Sequence, residues 1–367
     1  MIDETPVEAS MNAIVVGVGG FGQVWWELNR TYPDIRVVAV VDPDTASLAA
    51  GGDALAIPTS ARFATLEEAL TNVPAHILLD STPPRFHKEH ALAAYEKGMH
   101  VFTAKPLADT WVAAAQMTAA ADRDGLILGV NEQLRFGWLP LAVTHLLQTG
   151  EIGRVESIEL NFREPSAWEG WRKAMDQPLL LDGAVQHFDM VRAVTGLEAE
   201  SVFATAWRRE TSVLSGPGSA SAIFHLSGGV PFSYTGTWDH PREASDRTGW
   251  WGDWRIYGSQ GEIRAEGNRG VWVNGVESAV VVEPLDVKRL SLVVLDQFIR
   301  TVRTAVAMPT DGWSDLGSLA MSEIAIRSAD TGRPVSATEL EPTPFAARNA
   351  PPLETVSQMG DNNSIIG

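Results

Sequence analysis

Cysteine is absent from all 367 residues, which excludes disulfides, thiolate metal sites and a cysteine nucleophile, and suits an intracellular chain. Positive charge is scarce, with 28 Lys and Arg against 46 Asp and Glu and a formal net charge of −18. That balance repels phosphate backbones and anionic lipid, so neither nucleic acid nor a membrane is an expected partner. No apolar run approaches the ~20 residues that cross a bilayer. The opening MIDETPVEAS lacks the basic and then apolar regions of a secretory signal, and Met11 is itself a candidate start. A cytoplasmic location is expected. Histidine is sparse too, eight in all, with no His or carboxylate spacing of the kind a zinc or iron site needs, so no metal is expected. Redox chemistry here requires a cofactor.

What is present is ample core material. With 45% apolar residues and a length beyond one core, two domains are the starting expectation. Short apolar runs at Ala13–Val16, Val37–Val41, Ile77–Leu79, Val101–Phe102 and Leu126–Val130 alternate with helix-like segments. That rhythm predicts βαβ units and a doubly wound parallel sheet covered on both faces. Thr65 and Glu68 form a capping-box pattern, and Gly98 and Gly125 stand where helices should end. After about residue 150 longer alternating strands appear (Val155–Phe162, Val202–Trp207, Ala220–Leu226, Phe232–Trp238, Arg255–Ala265), with turns at Gly228-Gly229 and Ser259-Gln260-Gly261. They predict an α/β second domain with an open, mostly antiparallel sheet. Helical periodicity returns over 289–306 and 314–328. The expected division is 11–135 for a dinucleotide-binding domain, 136–340 for substrate binding and oligomerisation, and 341–367 for a Pro-, Asn- and Ser-rich tail or arm.

The first strand runs directly into Gly17-x-Gly19-x-x-Gly22, with Gly20 and Phe21 between the last two glycines. A helix-like run, Gln23–Asn29, comes next, then a second strand that ends at Asp42, twenty residues past Gly22. The first glycine makes a tight turn, the second admits a pyrophosphate to the backbone N–H groups, and the third lets helix and strand approach. Asp42 can accept hydrogen bonds from ribose hydroxyls and would repel a 2′-phosphate, with Val41 and Pro43 beside it and no arginine. NAD is therefore expected over NADP. Asp44 reads as a helix cap.

Strands four and five end in Ser81-Thr82-Pro83-Pro84, with His87 close behind, and in Thr103-Ala104-Lys105-Pro106. The carboxyl ends of such strands line the ligand crevice. A residue before proline is pushed toward extended backbone, so Lys105 can be aimed at that crevice, where it is suited to take a proton from a substrate hydroxyl as hydride leaves. At these residues the chain resembles the Gfo/Idh/MocA family, the glucose-fructose oxidoreductase and inositol dehydrogenase group. The resemblance runs over roughly 11–334: the early glycines, Thr82-Pro83 with His87, Gly98-x-His100-Val101 leading into Lys105-Pro106-Leu107, and Gly150-x-Ile152-Gly153. It implies a Rossmann domain, an open-sheet partner domain, a nicotinamide cofactor, hydride transfer on sugars or cyclitols, and Lys105 as the catalytic lysine. Ser81, Thr82, Pro83, His87, Ala104 and Lys105 then join Gly17, Gly19, Gly20, Phe21, Gly22 and Asp42 as candidate cofactor residues.

Two departures stand out. The family usually has glutamate where this chain has Ala104. It also places a catalytic histidine four residues after an aspartate, where Asp182 is followed by Gln186, with His187 one position later. If Asp189 fixes the register, glutamine replaces the acid/base, and it can orient a hydroxyl but not relay its proton. A local shift would instead bring in His187, unless that ring is satisfied within the domain interface. Asp182, Gln186 and His187 are thus candidates for both catalysis and substrate binding. Of Trp168, Trp171, Trp207, Trp238, Trp250, Trp251 and Trp254, Trp168 and Trp171 are the first candidates to stack on a sugar. Arg163, Asp239, His240, Arg242 and Arg247 are candidates for its hydroxyls. The leading expectation is an NAD-dependent sugar, glycoside or cyclitol dehydrogenase. A bound-NAD enzyme that cleaves or eliminates, and a non-catalytic NAD-binding sensor, are the alternatives. A homodimer or homotetramer is expected to cover the open sheet.

Overall fold

The structure, a computed structural model, describes residues 10–165 and 168–340. The proposed tail, 341–367, lies outside them. The chain divides into two compact units, one of residues up to 131 together with 294–312, the other of 132–293 with the residues from 313 on. The segment 294–312 thus sides with the first unit, although the sequence pattern assigns it to the second half.

The first unit holds six strands: β1 (Met11–Val16), β2 (Ile35–Val41), β3 (Arg62–Phe63), β4 (Ile77–Asp80), β5 (His100–Ala104) and β6 (Leu128–Asn131). All are parallel, in the order β3-β2-β1-β4-β5-β6. β1 and β4 bury nearly every side chain, because helices stand on both faces of a doubly wound sheet. Those helices are α1 (Leu28–Thr31), α2 (Thr45–Ala54), α3 (Leu66–Asn72), α4 (His87–Tyr95) and α5 (Trp111–Asp124). Thr65 caps α3 by accepting from Glu68 N, and Thr110 caps α5. Gly125 ends α5 at φ +66, where a β-carbon would strain. The β6 edge is completed by 294–312: Val130 N donates to Thr310 O at 2.8 Å, and Phe298 packs on Phe102 with centroids 5.1 Å apart. Gly129 permits this, since a β-carbon there would come within 2.6 Å of the Phe298 ring.

One element differs from the sequence expectation. The helix predicted over Gln23–Asn29 is a 3₁₀ turn, Gly20–Trp25, followed by the single-turn α1. Trp25 and Trp26 anchor that turn by donating to Ser81 Oγ (2.9 Å) and Val18 O (2.8 Å). A long helix with its macrodipole aimed at the phosphates is therefore replaced by a short, tight turn.

The second unit is built on nine strands. They are β7 (Val155–Arg163), β8 (Ala199–Trp207), β9 (Ser219–Leu226), β10 (Val230–Thr237), β11 (Asp253–Gly258), β12 (Gly261–Glu266), β13 (Gly270–Val273), β14 (Val276–Glu277) and β15 (Val335–Ser336). Their order is β14-β13-β12-β11-β7-β10-β9-β8-β15, antiparallel throughout except for the β7·β10 pair. Burial alternates along β8, β9 and β10, as it must when one face is covered and the other is not. The covered face meets α6 (Trp138–Gln148), α7 (Ala184–Thr195) and α9 (Gly312–Thr331); α8 (Val287–Thr304) belongs to this unit only before residue 294. Phe188 of α7 packs edge-on against Phe224 and Tyr234, and Ser328 of α9 accepts from Ala204 N in β8.

A buried ionic chain ties these helices together. Arg135 grips Asp189 with two hydrogen bonds, one from Nε at 2.7 Å. Ser318 donates to Asp189 Oδ1 (2.9 Å), Arg192 donates to Ser318 (2.8 Å), and Arg192 closes on Glu198. Burial would lower the Arg135 pKa, but Asp189, Glu132 and Asp315 together raise it, so the guanidinium stays charged. Removing one side of such a pair leaves the other buried and uncompensated. Arg135→Met is expected to cost about 3–5 kcal/mol, read as a lower denaturant midpoint of the second unit, and an unchanged midpoint would show that the pair contributes no net stability.

Candidate functional site

The glycine loop lies between the ends of β1, β2 and β4. Gly17, at φ +77, donates its N–H to Val41 O and faces the backbone of Ser81 so closely that a β-carbon would come within 2.9 Å. A β-carbon on Gly22 would stand 1.9 Å from Gly17 O, a position only glycine can fill. Gly20, at φ +44, has open space on its side-chain face. Gly20 and Phe21 begin the 3₁₀ turn, so their N–H groups have no acceptor within it.

Asp42 is buried and holds the loop from below. Its Oδ2 accepts from Val18 N (3.0 Å) and Gly19 N (3.3 Å), and its Oδ1 from Asp44 N (2.9 Å). A carboxylate has about four acceptor positions, so one remains for a ribose hydroxyl. Asp44 caps α2 through Ser47 N, and that bond holds its carboxyl below the ordinary range. Arg62, near Asp42 on β3, is committed elsewhere, to Ile57 O, Ala49 O and Asp53, and so is not left to take a 2′-phosphate. These groups fit an NAD adenosine and pyrophosphate.

At the end of β4, buried Asp80 shapes the next loop. Oδ1 accepts from Thr82 N (2.9 Å) and Thr82 Oγ1 (2.6 Å), and Oδ2 meets His90 Nδ1 at 2.9 Å. Burial pushes this carboxyl up, but His87, His90 and Thr82 outweigh it and hold the carboxyl below its ordinary range. His87 is 1% exposed. Its Nε2 faces Thr82 O at 2.8 Å and its Nδ1 faces Leu107 O at 3.2 Å, so it links the Ser81–Pro84 loop to the segment after Lys105. It occupies a positioning place beneath the loop. Lys105 lies one residue past the end of β5, partly buried, with a cis bond to Pro106. Ala104, the last residue of β5, pairs with Asn131 of β6.

The second unit gathers its own polar cluster. Pro178–Gly183 is a π-helical turn that runs into α7, and it carries Asp182, fully buried, whose Oδ2 accepts from Arg172 Nε at 2.8 Å. Wide turns of this kind recur at functional sites. Gln186 is buried on α7. His187, one residue on, is closed off: Nδ1 meets Tyr234 OH (3.1 Å), Nε2 meets Trp250 O (3.0 Å), and its ring lies 4.5 Å from that of Phe162. This is the satisfied-histidine arrangement, tying α7 to β7, β10 and the loop before β11.

Three tryptophans flank the cluster, Trp168, Trp238 and Trp250, with centroids 5.6–6.2 Å apart. The Arg172 guanidinium lies over Trp168 (5.0 Å) and Trp171 (4.3 Å). Other candidates serve the loop before β11 instead. Arg163 binds Asp246 and Asp253, Arg247 binds Glu164, His240 binds Asp246, and Asp239 accepts from Ser212. Trp254 is core, Trp251 packs on Trp138, and Trp207 is exposed on β8. Sequence reasoning missed Arg172, Asp80 and His90, for which no spacing gave a signal; Arg172 stands ten residues before its partner.

Residues 11–132 match the family model described as "Oxidoreductase family, NAD-binding Rossmann fold", and residues 141–264 match "GFO/IDH/MocA C-terminal domain". The chain is 26% identical over 352 residues to the uncharacterized protein y4oX of Sinorhizobium fredii, covering 88% of this chain and 95% of that one. It is 30% identical over 194 residues to an inositol 2-dehydrogenase of Leifsonia xyli, covering 51% of this chain and about half of that enzyme, 55%. In fold it is similar to an oxidoreductase from Agrobacterium radiobacter solved with NAD+, L-tartaric acid and magnesium, at TM-score 0.77 and 18% identity, over 90% of this chain and 99% of that one.

The geometry around Asp42 makes a direct prediction. Asp42→Ala removes both the loop anchor and the ribose acceptor, so NAD affinity by calorimetry is expected to fall roughly 10- to 100-fold, with weaker exclusion of NADP. Unchanged affinity for both would mean that Asp42 does not face the cofactor.

Proposed function

Because the chain belongs to the Gfo/Idh/MocA family of NAD-binding oxidoreductases, we propose that it oxidises a CH–OH carbon of a sugar, glycoside or cyclitol, or reduces the matching carbonyl, with Lys105 handling the proton. The observation that carries the reading is the position of Lys105: it leaves the carboxyl end of β5 in the same unit as the NAD cradle, the place where a doubly wound sheet meets its ligand. NAD, when bound, supplies the two-electron acceptor.

In this reading Gly17, Gly19, Gly20, Phe21 and Gly22 give the pyrophosphate a close backbone, and Asp42 takes the ribose. Ser81, Thr82 and Pro83 form the loop beside the cofactor, and Asp80 and His87 hold that loop's shape from beneath. The Lys105 amine accepts the hydroxyl proton on oxidation and returns it on reduction, which keeps charge from building on the substrate oxygen. Ala104, where the family usually has glutamate, contributes no charge to that transfer. Asp182 and Gln186 are assigned to substrate hydroxyls, as acceptor and orienting amide, whereas His187, with both ring nitrogens engaged, supports the fold.

The measurement is NADH absorbance on mixing the protein and NAD with aldoses, glycosides and cyclitols. One of these substrates should produce NADH in stoichiometric amount, and Lys105→Ala should slow it about 10²- to 10⁴-fold. A glycoside cleaved with no net NADH, or a substrate oxidised equally well by the variant, would sink the assignment.

We propose further that the chain self-associates through its second sheet. The face away from α7 and α9 presents Phe203 and Ile223, register partners that are 45% and 52% exposed, and, past the Thr205–Ser221 pair, Trp207. Large exposed apolar side chains of this kind on an open sheet are better buried than wet. Sedimentation should give a dimer or tetramer for the native chain and a shift toward monomer for Ile223→Arg; a monomeric native chain would overturn the idea.

A further inference from the structure

The ring of groups around Arg172 closes on itself within the second unit. Asp182 Oδ2 accepts from Arg172 Nε (2.8 Å), Arg172 lies over Trp168 (5.0 Å), and Trp168 stands 5.6 Å from Trp238. The Trp238 six-membered ring meets Gly183, where a β-carbon would come within 2.9 Å of it, and Gly183 is the neighbour of Asp182. The hydrogen-bonding character of this ring is one-sided. Trp168 Nε1 and Trp238 Nε1 are both buried with no acceptor among the described residues, and Trp238 as a whole is 1% exposed. Arg172 uses only Nε on Asp182; neither terminal NH₂ has an acceptor among the described residues, and its side chain is 21% exposed.

A buried indole N–H without an acceptor is costly and rare, and here two of them accompany a guanidinium whose outer edge is unused. The unsatisfied groups of Arg172, Trp168 and Trp238 are all donors, so the partner they lack is rich in acceptors. The outer edge of a guanidinium, two parallel N–H groups in one plane, matches the two oxygens of a carboxylate. The guanidinium carbon lies over the Trp168 and Trp171 rings, and Nε is taken by Asp182, so the outer edge is the part of the group left for a ligand. The charge also selects. Arg172 is the one cation of the ring and is already shared with Asp182, which suits a monoanion and not a phosphate dianion.

We propose that Arg172 is a specificity residue and that the substrate is a sugar acid, an aldonate or uronate class molecule whose carboxylate docks on the outer edge of Arg172, with the Trp168 and Trp238 N–H groups bonding its oxygens or the adjacent hydroxyl. The inference rests on the dehydrogenase reading for the bond that is oxidised, but not for the binding itself.

The full chain, saturated with NAD, is titrated with D-gluconate and D-galacturonate, with neutral D-glucose and D-galactose, and with a hexose phosphate. Tryptophan fluorescence reports binding and NADH absorbance reports turnover. The acids are expected to bind roughly tenfold or more tightly than their neutral partners, and Arg172→Lys to weaken the acids by roughly 10- to 100-fold, a larger loss than for any neutral sugar. Arg172→Leu alone removes the cation paired with Asp182, so Arg172→Leu with Asp182→Asn supplies the charge-free comparison, which should lose the preference for acids. Equal binding of acids and neutral sugars, tightest binding of the phosphate, no binding of either acid, or an Arg172→Lys effect shared by all ligands would overturn the proposal. NADH from neutral sugars but not from acids would remove the carboxylate inference and leave the dehydrogenase reading standing. Arg172-dependent binding of acids with no NADH would do the reverse.

Discussion

Gly17 O stands where a β-carbon of Gly22 would be, 1.9 Å from that position. This backbone contact sets the arrangement of the first unit. It brings the 3₁₀ turn back onto the end of β1, which lets Trp25 reach Ser81 and Trp26 reach Val18, and so fixes the loops after β1 and β4 relative to each other. Asp42 then completes the loop from the end of β2 by accepting from Val18 and Gly19. The carboxylate proposed to receive a ribose therefore also shapes the glycine loop.

A second layer lies beneath the first. Asp80 and His87 are buried, yet both bond to the loop after β4, and His87 also to the segment after Lys105: Asp80 to Thr82, His87 to Thr82 and Leu107. Buried polar groups persist where their hydrogen bonds are met, and a met network holds a unique geometry. The second unit uses the same device on a larger scale, with Arg135, Asp189, Ser318, Arg192 and Glu198 joined in one chain. His187 belongs to that structural layer, while Arg172 and Asp182 are the ionic pair with donor capacity to spare.

The alternation of apolar runs and helices determined the parallel sheet, because a strand covered on both faces must be apolar throughout, and β1, β2, β4, β5 and β6 fall where those runs lie. The alternating pattern of the second half determined the open sheet for the complementary reason, that one face is dry and one wet. The glycine spacing with Asp42 determined the cofactor class, since backbone geometry at a tight turn admits no other residue. Each of these is a local constraint that acts over a few residues and is written directly in them.

Tertiary structure decided the rest. The two-residue strands β3, β14 and β15 carry no period of their own and exist through their neighbours. The run Gln23–Asn29 has helical composition, but contacts of Trp25 and Trp26 with the strand ends fold it into a 3₁₀ turn. The choice between Gln186 and His187 could not be read from a four-residue spacing, because the π turn at Pro178–Gly183 widens the chain just ahead of α7 and rotates the residues of that helix. Arg172 lies ten residues from Asp182 and Arg135 fifty-four from Asp189. Such pairings are set by where whole elements come to rest, a sum over many weak contacts that no short stretch of sequence contains.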